Sequence, residues 1–414
     1  MDSELNEDVP RFINDSFIEN LVKKVENSEK VKMEKFELKP VTKKGNHYAS
    51  VMIRIVVNYV LDTKEQKQIS LILKTSYDEK YDNEDSVKLL KNLNLHSREM
   101  LMYGEILDNF HNLLSSINDK TTFSGRCYSI DHTTDSMIFE DLLVRHYRCA
   151  NRIERLDLNH AKLVMMKLAK FHASSIMLKQ KEPEIYASLN KGFLSRHHED
   201  ARDFCFTQLD AAINLVSTFS GYEYYVNKLT KFRELFIEKG IDMYEPDQDF
   251  NVLLHGDLWT MNMMFKYNHD GNPVDVLFVD YQLPYYSSPA FDILYFIHTS
   301  LKEEIRLEKQ DELVQHYYKH LKETLIDGFK YDGKFPSLHE FQVIILKKSL
   351  QIVITAFIVQ PIVILSEGID TDLMVLMSKE EKGIKFREEM YNNPAVVEAI
   401  KKLLPYLDAK GIFD

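Results

Sequence analysis

The chain has little cysteine, little positive charge and no apolar run long enough to cross a bilayer. Three cysteines in 414 residues, Cys127, Cys149 and Cys205, are too few for a disulfide framework and suit a reducing compartment. The 52 Lys and Arg are outnumbered by 64 Asp and Glu, and the net charge of −12 argues against a nucleic-acid partner or a basic membrane patch. Any anion the protein binds must therefore find its positive charge locally. The N-terminus, Met1-Asp2-Ser3-Glu4, is acidic and no apolar run follows it, so no secretory signal is expected. Ile352 to Leu365 is almost wholly apolar, but it is fourteen residues long and broken by Gln360-Pro361. That is too short for a membrane span, and it reads as a buried core helix. Only 13 glycines are present, none in a Gly-x-Gly-x-x-Gly loop, and there are no internal repeats or low-complexity stretches. A cytoplasmic monomer without membrane or nucleic-acid partners is the expectation.

What is present is ordinary for a globular protein, with 44% hydrophobic and 28% charged residues. The length exceeds one typical core and suggests two lobes. Residues 10 to 28 read as an amphipathic helix, within an N-terminal helical extension covering 1–35. Residues 36–142 read mostly as sheet. Val51, Ile53, Ile55, Val57 and Tyr59 have the period of a strand, Ile69 to Lys74 makes a second, and Cys127–Ile130 and Met137–Phe139 two more. Leu95 to Leu107 is helical within this region. Residues 143–414 read as a helical lobe, with Leu158–Met177 strongly periodic. The fold class expected is α+β: a small antiparallel sheet lobe, a hinge and a large helical lobe.

The chemistry gathers in His255-Gly256-Asp257-Leu258-Trp259-Thr260-Met261-Asn262 and in Asp280-Tyr281-Gln282. The strand Val252-Leu253-Leu254 delivers Asp257 to a loop, Asn262 follows five residues later, and a hairpin turning at Asp270-Gly271 ends in Asp280. Phosphoryl transfer from ATP needs a carboxylate to orient a hydroxyl, plus an amide and a second carboxylate to hold Mg²⁺ on the phosphates. The Asp-to-Asn spacing of five is that of a kinase catalytic loop. Asp257 is the candidate base, and Asn262 and Asp280 are the candidate metal ligands. ATP and Mg²⁺ are the cofactors this implies.

A lysine on the sheet should meet the phosphates, and a helix glutamate should hold it. Lys74 ends Leu71-Ile72-Leu73-Lys74. Glu99 lies one helical turn from Met102 and Tyr103 and can share their inward face; Glu105, displaced around the same helix, is the alternative. The loop Lys44 to Ser50 has one glycine, Gly45, and small residues at Ala49 and Ser50 that let backbone N–H groups approach phosphate. Met137 to Leu142, with Glu140 at its centre, leaves the sheet where a hinge would bind adenine. His172, inside an apolar helix, reads as a core histidine. His197-His198-Glu199-Asp200 reads as a solvated helix start rather than a metal site, and the aromatics from Phe219 to Phe236 as core more than pocket lining. Trp259, the only tryptophan, either walls the substrate site or anchors its loop.

These residues resemble the insect ecdysteroid kinase-like family, which belongs with choline kinases and aminoglycoside phosphotransferases in the protein-kinase-like fold. The words that carry it are Gly45 to Ser50 with Val51-Met52-Ile53-Arg54, Leu71 to Thr75, Arg98-Glu99-Met100-Leu101-Met102-Tyr103 and Leu168 to Ala173. His255 to Trp259, Asn262, Asp280-Tyr281-Gln282 and Ser288-Pro289-Ala290-Phe291-Asp292-Ile293 complete them. The resemblance implies that Asp257 is the base, that Asn262 and Asp280 bind Mg²⁺, that Lys74 binds phosphate and is anchored by Glu99, and that Asp292 braces the catalytic loop. His96 departs from it, where the family tends to an aromatic residue. Gly256 stands where protein kinases carry a phosphate-sensing arginine, and only 12 positions separate Asp280 from Asp292. Both point to a small-molecule hydroxyl acceptor, a steroid or a foreign or dietary compound, rather than a peptide. A catalytically silent binding protein on this fold is the alternative, and a metal-dependent phosphohydrolase a third.

Overall fold

Alternating apolar residues build the sheet. Ile53, Ile55, Val57 and Tyr59 of one strand and Leu71 and Leu73 of the next are all buried on one face, as the two-residue side-chain period requires. Ile18, Leu21 and Val22 of an N-terminal helix cover that face. Fully burying one such side chain contributes about 1.5–3 kcal/mol. Ile72 and Lys74, one residue out of phase, project from the opposite face, where Lys74 meets Glu99 and Asp280. The structure is a computed structural model that describes residues 9, 10, 12–41, 50–76, 94–192, 199–246, 250–365, 375, 376 and 378–413, without the side chains of 199–202 and 237–242.

Helix α1 (Asp15–Glu26) is capped by Asn14, whose side chain accepts from Phe17 N, and stops at Asn27 in a left-handed conformation. The sheet that follows is antiparallel, with strands β1 (Val31–Pro40), β2 (Ser50–Leu61), β3 (Gln66–Ser76), β4 (Cys127–Asp131) and β5 (Ser136–Glu140) in the order β1-β2-β3-β5-β4. Strand β1 begins before residue 36, inside the segment expected to be helical extension. Its register slips between Met33 and Lys35 opposite β2. That bulge shifts the apolar phase from Val31 and Met33 to Phe36 and Leu38, so no single alternation marks the strand. Among the described residues between β3 and β4, 94–126, runs a continuous helical stretch longer than the expected Leu95–Leu107. It comprises α2 (Leu95–Leu101), a π-helical turn (Met102–Ile106) and α3 (Leu107–Ser116).

Past Glu140 the chain enters the helical lobe. Strand β6 (Tyr147–Cys149) joins the hairpin of β8 (Met263–Tyr267) and β9 (Pro273–Phe278), while β7 (Val252–Leu253) pairs with β10 (Tyr286–Ser287). Helix α4 (Leu158–Lys181) packs against β7 and β9, and helices α5 (Glu199–Ser217), α6 (Glu223–Tyr244) and α7 (Ala290–Ser300) follow in the same lobe. The described residues thus form a small lobe built on a five-stranded antiparallel sheet and a larger, mainly helical lobe, the two-lobed α+β arrangement expected. Ile352, Val353 and Phe357 are buried in the helical-lobe core. No single described helix is long and apolar enough to cross a membrane; the pair Leu338–Lys347 and Gln351–Val363, bent by 52°, passes on length and composition alone.

The hinge is fastened by Asp141, a residue with no sequence signal of its own. Its carboxylate, 5% exposed, accepts from Arg54 Nε of β2 at 2.7 Å, from Ser70 Oγ of β3 at 2.7 Å and from Leu143 N at 3.1 Å. Burial favours the neutral acid, but Ser70, Arg54 and Leu143 outweigh it and hold the group below its ordinary 3.8. Asp141→Ala should cost about 1–3 kcal/mol in urea unfolding at neutral pH, since Arg54 and Ser70 lose their shared acceptor. A carboxyl lowered on folding stabilises fully above its unfolded pKa and loses that contribution as pH falls through the folded one. The gap between wild type and variant should therefore narrow as pH drops below 3.8. A gap that stays constant into acid would rule out the ionic hinge lock.

Candidate active site

Strand β7 ends against a backbone position that only glycine fits. Gly256 has φ of +82°, and a Cβ there would lie 1.8 Å from Leu283 O. The two N–H groups at this bend donate to one carboxylate on α7: His255 N to Asp292 Oδ2 at 2.7 Å and Gly256 N to Asp292 Oδ1 at 2.9 Å. Asp292 is itself fixed by His172 Nε2 at 3.2 Å, and His172 Nδ1 meets Tyr317 Oη at 2.7 Å. Burial keeps His172 neutral despite the nearby Asp292. A neutral ring then donates from Nε2 to Asp292 and accepts the Tyr317 hydroxyl at Nδ1. His172 is thus a hydrogen-bonded core histidine. The ring of His255, also buried, reaches Val279 O at 3.1 Å and so ties the loop to the residue before Asp280.

This frame presents Asp257. Its Oδ1 accepts from Tyr295 Oη at 2.6 Å and its Oδ2 from Asn262 Nδ2 at 2.9 Å; Asn262 Nδ2 also holds the Asp257 carbonyl at 2.9 Å. Burial pushes the Asp257 carboxyl up to about 7, helped by the charge of Asp280 and opposed by Tyr295, Asn262 and the Trp259 side chain. Trp259 is half-buried, and its backbone N–H donates to the Asp257 carbonyl at 3.1 Å. Tyr295 carries no motif in the sequence; its position three residues after Asp292, on the same face of α7, is the only signal that could have found it.

Lys74 joins the two lobes. Its Nζ lies 2.6 Å from Glu99 Oε2 and 2.7 Å from Asp280 Oδ1. Burial alone would favour the neutral amine, but Asp280 and Glu99 outweigh it and raise the lysine's pKa. Burial, with the neighbouring Asp280 charge, raises the Glu99 carboxyl, while Lys74 and Gln282 oppose it. Glu105 is exposed, so the lysine's partner on this helix is Glu99. Asp280 adopts φ of +65°, unusual for a residue with a side chain. Next to Glu99, the buried Arg98 donates from Nη1 to Lys191 O at 3.1 Å and to Pro284 O at 3.4 Å, so α2 is held onto the helical lobe.

The remaining expected positions fare unevenly. Ser50 is buried at the start of β2, opposite Ser76. Gly45 and the rest of 42–49 lie outside the described residues, as do His197 and His198. Glu140 accepts Arg126 N at 2.9 Å and Arg145 Nη1 at 2.7 Å, and its own N–H donates to Arg126 O at 2.9 Å. Its side chain and N–H therefore serve the hinge itself. Phe232 and Phe236 are buried in the core. Among the described residues no group of three or more His, Cys, Asp and Glu forms a metal cage.

The ecdysteroid kinase-like family profile matches residues 44–328. No curated protein matches the sequence. Among solved structures, an ethanolamine kinase from Plasmodium vivax has 12% identity over 91% of this chain and 83% of its own, with a TM-score of 0.40. A choline kinase from Streptococcus pneumoniae has 11% identity over 94% of this chain and 98% of its own, with a TM-score of 0.36. The family match spans well over half of the chain, from the loop before β2 to the helices beyond Asp292. This protein belongs to the ecdysteroid kinase-like family.

Proposed function

We propose that the protein is an ATP- and Mg²⁺-dependent phosphotransferase that phosphorylates a hydroxyl of a small molecule, acting as a monomer in the cytoplasm. The observation that carries it is the convergence of Lys74, Glu99 and Asp280 with the Asp257–Asn262 pair in one cleft, drawn from both lobes. In the proposed reaction the acceptor oxygen forms a bond to the γ-phosphorus as the bond to the bridging oxygen of ADP breaks. Asp257 orients the hydroxyl and takes its proton. Lys74 supplies the local positive charge that a chain of net charge −12 otherwise lacks.

Asn262 and Asp280 suit a hard cation. Asn262 spends its Nδ2 on Asp257, which leaves Oδ1 as an acceptor, and Asp280 spends Oδ1 on Lys74, which leaves Oδ2. Magnesium prefers few protein oxygens and completes its shell with water and substrate phosphates. When bound, it supplies charge neutralisation on the phosphates.

Two features favour a small acceptor. The segment from Asp280 to Asp292 is short and fastened down: Tyr286 and Ser287 pair with Leu253 and Val252, and Pro284 O accepts Arg98. Little of it remains to pair with a peptide. An apolar, steroid-sized alcohol or a foreign or dietary compound fits the family name and the aromatic content of the helical lobe. Incubation with Mg–ATP and a panel of hydroxylated steroids and plant glycosides should give products heavier by one phosphate. Turnover of a peptide library with none of the panel would overturn this reading.

Asp257→Asn should lower transfer by about 10²–10⁴-fold while leaving ATP affinity near wild type, because the amide keeps the shape without the basicity. Unchanged turnover in the folded variant would remove Asp257 from the chemistry. Asp280→Ala should abolish the Mg²⁺ dependence of ATP binding measured by calorimetry. If affinity still rises on adding Mg²⁺, the cation is held elsewhere.

A further inference from the structure

The phosphotransferase reading assigns work to Asp257 but leaves open what aims its carboxylate. A carboxylate on a short side chain rotates about its Cβ–Cγ bond unless both oxygens are held. Here each oxygen has its own donor: Tyr295 Oη on Oδ1 at 2.6 Å and Asn262 Nδ2 on Oδ2 at 2.9 Å. The Tyr295 contact is the shorter and comes from outside the loop.

We propose that Tyr295 is a positioning residue that fixes the Asp257 carboxylate for activation of the acceptor hydroxyl. The proposal rests on the phosphotransferase reading and extends it. Tyr295 stands one helical turn after Asp292 on α7, and Asp292 binds the backbone N–H groups of His255 and Gly256. One turn of one helix therefore holds the loop's backbone with a carboxylate and its functional side chain with a phenol. Because α7 sets both, Asp257 cannot turn without breaking the Tyr295 contact, and the loop cannot shift without breaking the Asp292 contacts.

The chemistry of the phenol suits this task. Next to a carboxylate it can only donate, and burial holds its pKa well above the ordinary value, so it does not compete for the acceptor's proton. An ionised carboxylate has about four acceptor positions. Tyr295 and Asn262 fill one on each oxygen, and the rest stay available to a hydroxyl. Asn262 cannot replace Tyr295 in this role, because under the proposed reading its amide oxygen also holds the cation.

Tyr295→Phe keeps the ring and removes the donor. With Mg–ATP, and with water or the steroid and glycoside panel as acceptor, kcat should fall by about 10- to 100-fold, the scale of a small misplacement of a reacting group. KM for ATP should stay near wild type while kcat falls, a split that a general loss of packing would not produce. The Tyr295→Phe, Asp257→Ala double-mutant cycle in urea should be non-additive. An unchanged kcat would overturn the positioning role, as would additive shifts in the cycle. A faster variant would overturn it too, by showing that the phenol occupies the acceptor's place. If the wild type turns over neither water nor any of the panel while binding Mg–ATP, the phosphotransferase reading itself falls and the role of Tyr295 with it. Normal wild-type turnover with an unaltered variant removes only the Tyr295 proposal.

Discussion

One ammonium group between two carboxylates ties the lobes together. Lys74 comes from the sheet, Glu99 from α2 and Asp280 from the helical lobe, and Nζ lies within 2.7 Å of both acids. Removing these groups from water is costly, and a buried ion pair is weak evidence for stability by itself. Its value here is positional. A lysine paired with Asp280 alone would leave Glu99 buried without compensation, and one paired with Glu99 alone would lose its link to the helical lobe, so the three groups hold one another in place. The cluster sets one ammonium against two carboxyl groups, and the Asp257 carboxyl stands near it. Under the proposed function a polyanionic nucleotide can approach so acidic a cleft only with a cation. The oxygens left open on Asn262 and Asp280 are of the kind such a cation takes.

The loop that carries Asp257 depends on a second constraint, the left-handed backbone at Gly256. A side chain there would collide with Leu283 O, and the bend is what turns two successive N–H groups toward Asp292. Asp280 is held in a comparable conformation without the freedom of glycine, at a strain of about 1–2 kcal/mol. Strain of that size persists only where surrounding contacts over-determine it. The Lys74 bond to its carboxylate and the His255 bond to the carbonyl before it are such contacts. Packing around His172, Tyr317 and Asp292 thus reaches the Asp257 carboxylate through backbone geometry rather than by direct touch.

The sequence made legible whatever is local. Asp257, Asn262 and Asp280 sit at fixed spacings on strand ends, Lys74 ends an apolar run, and the structure gathers them in one cleft with Glu99. The choice between Glu99 and Glu105 followed from helix face, and burial of Glu99 beside an exposed Glu105 agrees with it. Strand β1 was hidden because its bulge breaks the two-residue period that reveals strands. Asp141 and Tyr295 were hidden for another reason. Each acts through partners far away in sequence, 87 residues for the Asp141–Arg54 bond and 38 for the Tyr295–Asp257 bond, and no local pattern encodes such a meeting. Glu140 shows the converse. Its position at the end of β5 was legible, whereas the bonds of its carboxylate to Arg126 N, just before β4, and to Arg145 had no local signal.

A kinase fold switched by its activation segment needs that segment to have two arrangements of similar free energy. In this chain the stretch from Asp280 to Asp292 is fixed at its start by Lys74, in the middle by Arg98 on Pro284 O, and then by the pairing of Tyr286 and Ser287 with β7. Its end, Asp292, is bound to the loop that carries Asp257. Moving any part would break contacts that also hold α2 and Asp257. Arg98 and Glu99 are adjacent on α2, so the residue that clasps the segment and the residue that holds the lysine move together. An outward swing of that helix would lose both at once. The polar contacts that assemble the candidate site thus act together with the apolar packing of Tyr103 on Tyr281 and of Phe110 on Phe171, which joins the same two lobes.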